Sequence, residues 1–566
     1  MRKISLLVLC AALALPAAAQ SWDQGLLFSE NNYGGTARSI GMGNALTAVG
    51  GDPGAITLNP AGGAVAGYSQ FFLTPALSIS ASNTSGVTLD GELEPLGMAD
   101  NVRTGYTRVK MPNMGFSINM ETGRKHGLRR MSVGFVVNSV NDFTSRMRAS
   151  GVNYGKYSYS GSLASLADGY DPEVLGKADW YATGAGKEPD WNAMVGFLSG
   201  MFDHVDGRYL GITDMFGPNG AEAAAPVYQT YGYQTKGYKQ DVLLNISANF
   251  SDRFYVGANM GITSLAYGEV QYWEEMPENA ETFPVIKYND NTQARFNSLL
   301  MKRMYDVSGT GIYFKAGLLW RPFAGLRLGA AIQTPTIMSM TGRCQWYGET
   351  NLAGKTIPSS KSPEDQWYYS MVSPFRWNVG LAYSFGSFAV LSADYEWANF
   401  RHVRYGGRSE YSGFLNDSLY EYENADIKDA LGISHQFRVG MEFKPMQDLA
   451  IRVGYNYTSS AQRNWVDYVA ADNGAIDVVV TPLSREELAA LGRTSVSFGA
   501  GYAFGAFYTD LAVRLRFLPD AYYIPYSHYV AAGSYETKVA DYSKETPTVK
   551  VKSMGIDAVF TVGWRF

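Results

Sequence analysis

Stretch after stretch of this chain alternates apolar and polar residues with a period of two, and the minor face carries arginines and carboxylates. Gln436, Arg438, Gly440, Glu442 and Lys444 stand against Phe437, Val439, Met441 and Phe443. Arg452, Gly454 and Asn456 stand against Ile451, Val453, Tyr455 and Tyr457, and Asp510, Arg514 and Arg516 against Leu511, Val513, Leu515 and Phe517. Arg376, Asn378 and Gly380 oppose Trp377, Val379 and Leu381 in the same way. Successive side chains of a strand point to opposite faces, so each run has one polar and one apolar face. Repeated many times, this is the pattern of a transmembrane β-barrel, polar towards the lumen and apolar towards lipid.

The connections alternate in length as well. Short ones fall at 123–127, 251–253, 322–325, 385–387, 444–448 and 504–506, and long polar, aromatic ones lie between them, the longest at 143–239. Strands are expected at 68–82, 103–120, 129–141, 240–250, 254–273, 308–321 and 326–340. The second half adds 373–385, 388–404, 433–444, 449–459, 493–504, 507–518 and 551–566. The expected fold is all-β, a 14-stranded antiparallel barrel over 68–566 with long outer loops that contain short helices. An even count places the C-terminus beside the short turns.

Both ends fit an exported barrel. Residues 1–19 read as a signal peptide: basic Arg2 and Lys3, an apolar run to Leu15, then Ala17-Ala18-Ala19. Cys10 lies inside that apolar run behind Leu9, which is not a lipoprotein arrangement. Cys344 is then the sole cysteine of the mature chain, so no internal disulfide holds the fold. Charged residues are 17% of the chain, below the roughly 25% of soluble domains, and aromatics are 14%, which suits girdles at two membrane interfaces. The final strand ends on Trp564 and Phe566, an expected signal to the barrel-assembly machinery, with outer-membrane lipid around the wall.

The segment 20–67 is different. Its core, GTARSIGMGNALTAVGGDPGAITLNPAG, is rich in Gly and Ala and nearly uncharged. Short side chains and glycines suit a compact plug that packs closely and turns sharply. Ser39, Gly41, Gly43, Ala45, Asp52 and Asn59-Pro60-Ala61 together resemble the N-terminal region of the FadL/OmpP1/TodX family of outer-membrane transporters. The resemblance implies a hatch inside the barrel with Gly41, Gly43, Asp52, Asn59, Pro60 and Ala61 at its gate. It also implies passive import of long-chain fatty acids or similar hydrophobic compounds: capture by outer loops, an internal apolar pocket, and sideways release through the wall.

Other candidate residues follow from the pattern. Trp191, Met194, Val195, Leu198, Met201 and Phe202 recur at helical spacing after a capping Asp190, either a surface that captures ligand or a helix packed on its own cap. Phe296, Leu299, Leu300 and Met304 form a weaker stripe, read as loop packing. Arg376, Arg438, Arg452 and Arg514 face the lumen and could hold a carboxylate head group, or pair with Asp394, Glu396, Glu442 and Asp510. Pro112, inside the second strand, removes a ladder donor and marks a candidate wall opening.

Nothing points to catalysis, a cofactor or a metal: five histidines stand in no ligand spacing, and no nucleophile elbow or nucleotide loop is present. A net charge of −5 without long runs argues against nucleic acid. Importer is the leading expectation, with a secretion-partner scaffold or structural porin as the alternative. A haem receptor, with His204 as ligand, comes last.

Overall fold

A computed structural model describes residues 21–87, 97–153, 158–181, 190–205, 207–214, 225–287, 293–409, 413–470, 476–532, 537–541 and 547–566. The expected signal peptide and Cys10 lie outside the described residues. Fourteen antiparallel strands close into a barrel. They are β1 (Gln70–Val87), β2 (Val102–Glu121), β3 (Leu128–Asp142, continued by Ser145–Asn153), β4 (Val227–Phe250) and β5 (Phe254–Pro277). Next come β6 (Gln293–Trp320), β7 (Leu326–Gln333, continued by Ile337–Ala353), β8 (Asp365–Val372, continued by Arg376–Phe385) and β9 (Ala389–Asn399, continued by Arg404–Ser409). The ring ends with β10 (Ile433–Phe443), β11 (Leu449–Thr458), β12 (Arg493–Phe504), β13 (Phe507–Phe517) and β14 (Thr548–Arg565). β14 closes on β1 from Gln70↔Arg565 to Val87↔Thr548, and Phe566 locks the seam by exchanging two backbone bonds with Ser69.

Alternation does the work that the sequence implies. Phe71, Leu77, Ile79, Phe116, Ile246, Phe314, Val379, Met441, Val453, Leu511 and Phe560 are exposed on the outside. Thr74, Asn245, Asn378, Arg438, Arg452, Asp510 and Asp557 are buried on the inside. Near the short turns, Phe504, Phe507, Trp564 and Phe566 form a chain of ring contacts, an interfacial girdle.

Several strands outrun the sequence reading. β4 begins at Val227 rather than 240, β6 at Gln293 rather than 308, and much of the expected loop at 341–372 is strand. These extensions rise above the lipid belt, where the outward face of β6 turns polar, as at Arg295, Lys302 and Asp306, while Phe296, Met301 and Tyr305 are buried inside, so the apolar-outside pattern is lost while pairing continues. The stripe Phe296–Met304 belongs to β6, not to a loop helix; a bulge at Asn297 lets Phe296 and Leu299 both turn inward.

Residues 21–67 fill the lumen. Helix α1 (Trp22–Ser29), helix α2 (Ala37–Gly41), helix α3 (Pro53–Leu58) and a 3-10 turn (Pro60–Ala64) are short. Thr36 caps α2 through Ser39 N and donates to Asp52 Oδ1 at 2.8 Å, and Asp52 caps α3 through Gly54 N. One hydrogen-bonded pair thus orients both helices.

Candidate functional site

The lumen segment is held by inward side chains from around the ring. Ala37 N donates to Thr561 on β14 at 2.7 Å, and Thr47 N to Asp394 on β9 at 2.8 Å. Asn245, Asn259, Lys315 and Arg327 donate to the carbonyls of Pro60, Ile56, Thr57 and Val49. Irregular backbone at membrane depth must have its polar groups met from protein, and these side chains meet them. Arg38 forks onto Glu442 at 2.8 and 3.1 Å, and Arg452 meets the same carboxylate at 2.7 Å.

The expected gate residues lie at the tightest contacts. Gly43 has φ +63, and a Cβ there would stand 2.8 Å from the Tyr455 backbone, while one on Gly454 would overlap the Gly43 amide. Asn59 donates to Thr47 O at 2.8 Å and Leu318 O at 3.0 Å, and accepts from Ala61 N. Pro60 starts the turn with its fixed φ, Ala61 packs on Tyr255 and Leu319, and Gly41 ends α2 against Gly499. The alternation had already placed Gly440 and Gly454 on the lumen face. What it could not show is that the backbone of the lumen segment occupies the space their missing side chains leave.

Above this bed, the lumen has two unlike walls. Leu265, Tyr267, Tyr305, Val307, Met338, Met340, Tyr369, Met371 and Tyr405, from β5 to β9, form an apolar chamber. Helix α1 occupies it: Phe28 is fully buried there, with Trp22, Leu26 and Leu27 packed alongside. Lys239 Nζ holds Phe28 O at 2.9 Å, Tyr305 donates to Gln24 and Tyr405 to Ser21 O. Beside the end of α1, a cavity of about 20 Å³ lined by Glu30, Arg376 and Arg493 has room for about one water. The opposite wall is charged: Lys110, Arg514 and Arg516 converge on the buried Asp557.

The four lumen arginines of the sequence reading are all engaged. Arg376 and Arg438 meet Glu396, Arg452 meets Glu442 and Asp510, and Arg514 meets Asp557. Arg438 also lies over the Tyr33 ring at 5.5 Å.

Pro112 sits where the wall changes. The β1–β2 register slips between Thr74 and Ala76, opposite Pro112, and the β2–β3 ladder ends at Asn113↔Asn138. Beyond it, residues 102–112 pair with β1 alone, and β3 passes behind them: Ser82 and Thr84 of β1 donate from their lumen side to Arg146 O and Arg148 O. The lumen segment takes the vacated edge of β3, with Asn32 N bonded to Val140 O and Gly34 N to Ser139 O, both at 2.7 Å.

The long loop folds into a cap. Helix α4 (Tyr159–Ala167), helix α5 (Pro172–Gly176) and helix α6 (Trp191–Leu198) pack over the barrel mouth. Met194, Val195, Met201 and Phe202 are buried in the cap core, and Trp191 and Leu198 are half-buried. His204 stands on a short hairpin against Tyr209. Glu275 fastens α4 by accepting from Tyr159 N at 2.7 Å, Thr213 at 3.1 Å and Gln229 at 2.6 Å. Burial next to this carboxylate pushes the Asp214 carboxyl up to about 7.

No family model matches the sequence, and no curated protein matches it. Among solved structures, a FadL homologue of Pseudomonas aeruginosa aligns with TM-score 0.48 and 13% identity over 94% of this chain and 98% of that one. The toluene transporter TodX of Pseudomonas putida aligns at 0.46 and 12%, over 95% and 100%. The toluene transporter TbuX of Ralstonia pickettii gives 0.44 and 13%, over 94% and 98%. The chain is similar to these barrels. At such low identities and TM-scores, function has to be argued from its own residues.

Proposed function

We propose that this chain is a passive outer-membrane importer of hydrophobic small molecules, with residues 21–67 as its hatch. The observation that carries the reading is the apolar chamber of β5 to β9 filled by the chain's own helix α1. A chamber lined by Met, Tyr and Leu offers adaptable apolar contact. A resident helix keeps that chamber dry until a ligand with comparable apolar surface displaces it. The Asn32–Gly34 stretch that follows α1 covers the edge of β3 at Pro112. Displacing α1 would pull on that seal, so chamber filling and sideways release are mechanically linked in this reading. The cap supplies the entrance from outside.

Long-chain fatty acids are the substrate class that the size of α1 favours over single aromatic rings. The test is saturable binding of radiolabelled oleate to the purified barrel, with a fluorophore at Trp22 reporting movement of α1. Binding that is saturable and moves α1 is the expected result. Absence of saturable binding overturns the fatty-acid reading, and binding with α1 unmoved overturns the displacement step.

A further inference from the structure

The geometry points to a second site, outside the lumen: a slot in the wall between β2 and the continuation of β3 that binds the phosphate head group of an outer-leaflet lipid. The slot is framed above by Asp100 N on Ser150 O at 3.0 Å and below by the Asn113↔Asn138 pair. Its sides carry Arg108, Lys110, Arg146 and Arg148. Arg108 and Lys110 share Asp142, each at 3.3 Å, and Lys110, at the inner end of the slot, also reaches Asp557 of the lumen wall at 3.0 Å. Arg146 lies over the Tyr106 ring at 5.4 Å, and among the described residues neither Arg146 nor Arg148 is in an ion pair. Asp100 stands at the upper end, and Glu274 is an acid on the outward face near Tyr272, beside which Arg146 and Arg148 stand. Arg146 and Arg148 are thus the cations of the slot that no carboxylate holds in an ion pair among the described residues.

The backbone adds donors of its own. The side of residues 102–112 away from β1 has no strand to pair with, and an edge left open at membrane depth demands a polar partner. The facing carbonyls of Arg146 and Arg148 are already satisfied by Ser82 and Thr84. What the slot lacks is an acceptor with negative charge, which a phosphate supplies in several oxygens.

The level of the slot selects a lipid over a free anion. Outward residues of β4 run apolar through Ile246, Leu244 and Val242, turn polar at Gln240, and pass Tyr238 to Lys236, two residues from Gln234, the partner of Arg146. Arg146 thus stands where acyl chains give way to head groups. Just below it on β2, Val109 is 75% exposed and Met111 is also exposed, offering acyl contact beneath the basic mouth.

The test uses the full-length barrel in neutral detergent, with retained lipid read by native mass spectrometry. The probes are diphosphoryl lipid A, its dephosphorylated form, and inorganic phosphate as competitor. The wild type should retain the phosphorylated lipid about tenfold better, a difference of about 1.4 kcal/mol. Arg146→Gln/Arg148→Gln should abolish the preference, and Arg146→Lys/Arg148→Lys should keep most of it. Equal retention of both lipids by the wild type overturns the site, as does an undiminished preference in the glutamine variant. Inorganic phosphate that displaces the lipid at equal concentration would assign the slot to a free anion and overturn the lipid. The wild-type comparison decides even if a variant fails to fold, and none of these outcomes depends on oleate binding.

Discussion

Gly34 donates its amide to Ser139 O at 2.7 Å, which places the lumen segment on the strand edge that β2 abandons at Pro112. A Cβ on Gly34 would stand 3.0 Å from Ser139 O and 3.2 Å from Pro112 Cβ. The contact is therefore a close backbone approach that a larger residue disturbs.

Gly34→Val should lift this stretch off β3 and unseal the wall. The expected outcome is an ion conductance in planar bilayers well above that of the wild type, with unchanged heat-modifiable migration of the barrel. A wild-type conductance would show that the contact is not a seal.

Glu442 anchors the lumen segment through Arg38. Glu442→Gln takes from Arg38 its carboxylate partner and leaves Arg452 with Asp510 alone, in a buried setting where breaking such a pair costs about 3–5 kcal/mol. Hydrogen exchange at the α2 amides should accelerate accordingly while exchange in β1 and β14 stays slow. Equal acceleration in strand and plug would mean that Glu442 holds the barrel and not the plug.

Asn59 shapes the turn that follows α3. Asn59→Ala removes two donated bonds and one accepted bond, at about 1–3 kcal/mol for each buried group left without a partner. The variant should show faster protease cleavage within residues 45–65 in detergent. The same cleavage rate as wild type would count against a structural role for the turn.

The cap should loosen as pH rises. Asp214 titrates near 7 in the folded cap against an ordinary 3.8, so between these values the folded form holds a proton that the unfolded loop releases. Stability of the cap then falls as pH climbs from about 4 to about 7. Limited proteolysis of the loop should be slower at pH 5 than at pH 8, and Asp214→Asn should flatten the difference.

Much of this was legible in the residues. Arg438 against Val439, or Asp510 against Leu511, states which way a strand faces, because a two-residue period leaves only two faces. The strand extension at 293–307 was hidden because beyond the lipid belt the outward face turns polar and the inward face apolar, Lys302 and Asp306 against Met301 and Tyr305, which reverses the pattern that marks a membrane strand. Phe296 and Leu299 imitated a helix because a single bulged residue changes the period locally.

The chain by itself determined the barrel, its strand number and the presence of a small-residue segment ahead of it, since local periodicity and short side chains act over a few residues. The tertiary structure alone decided that α1 fills the Met- and Tyr-lined chamber, that Gly34 seals the edge of β3, and that Arg146 and Arg148 stand at an open wall. Each of these joins residues of separate segments of the chain, through contacts that exist only once the ring has closed.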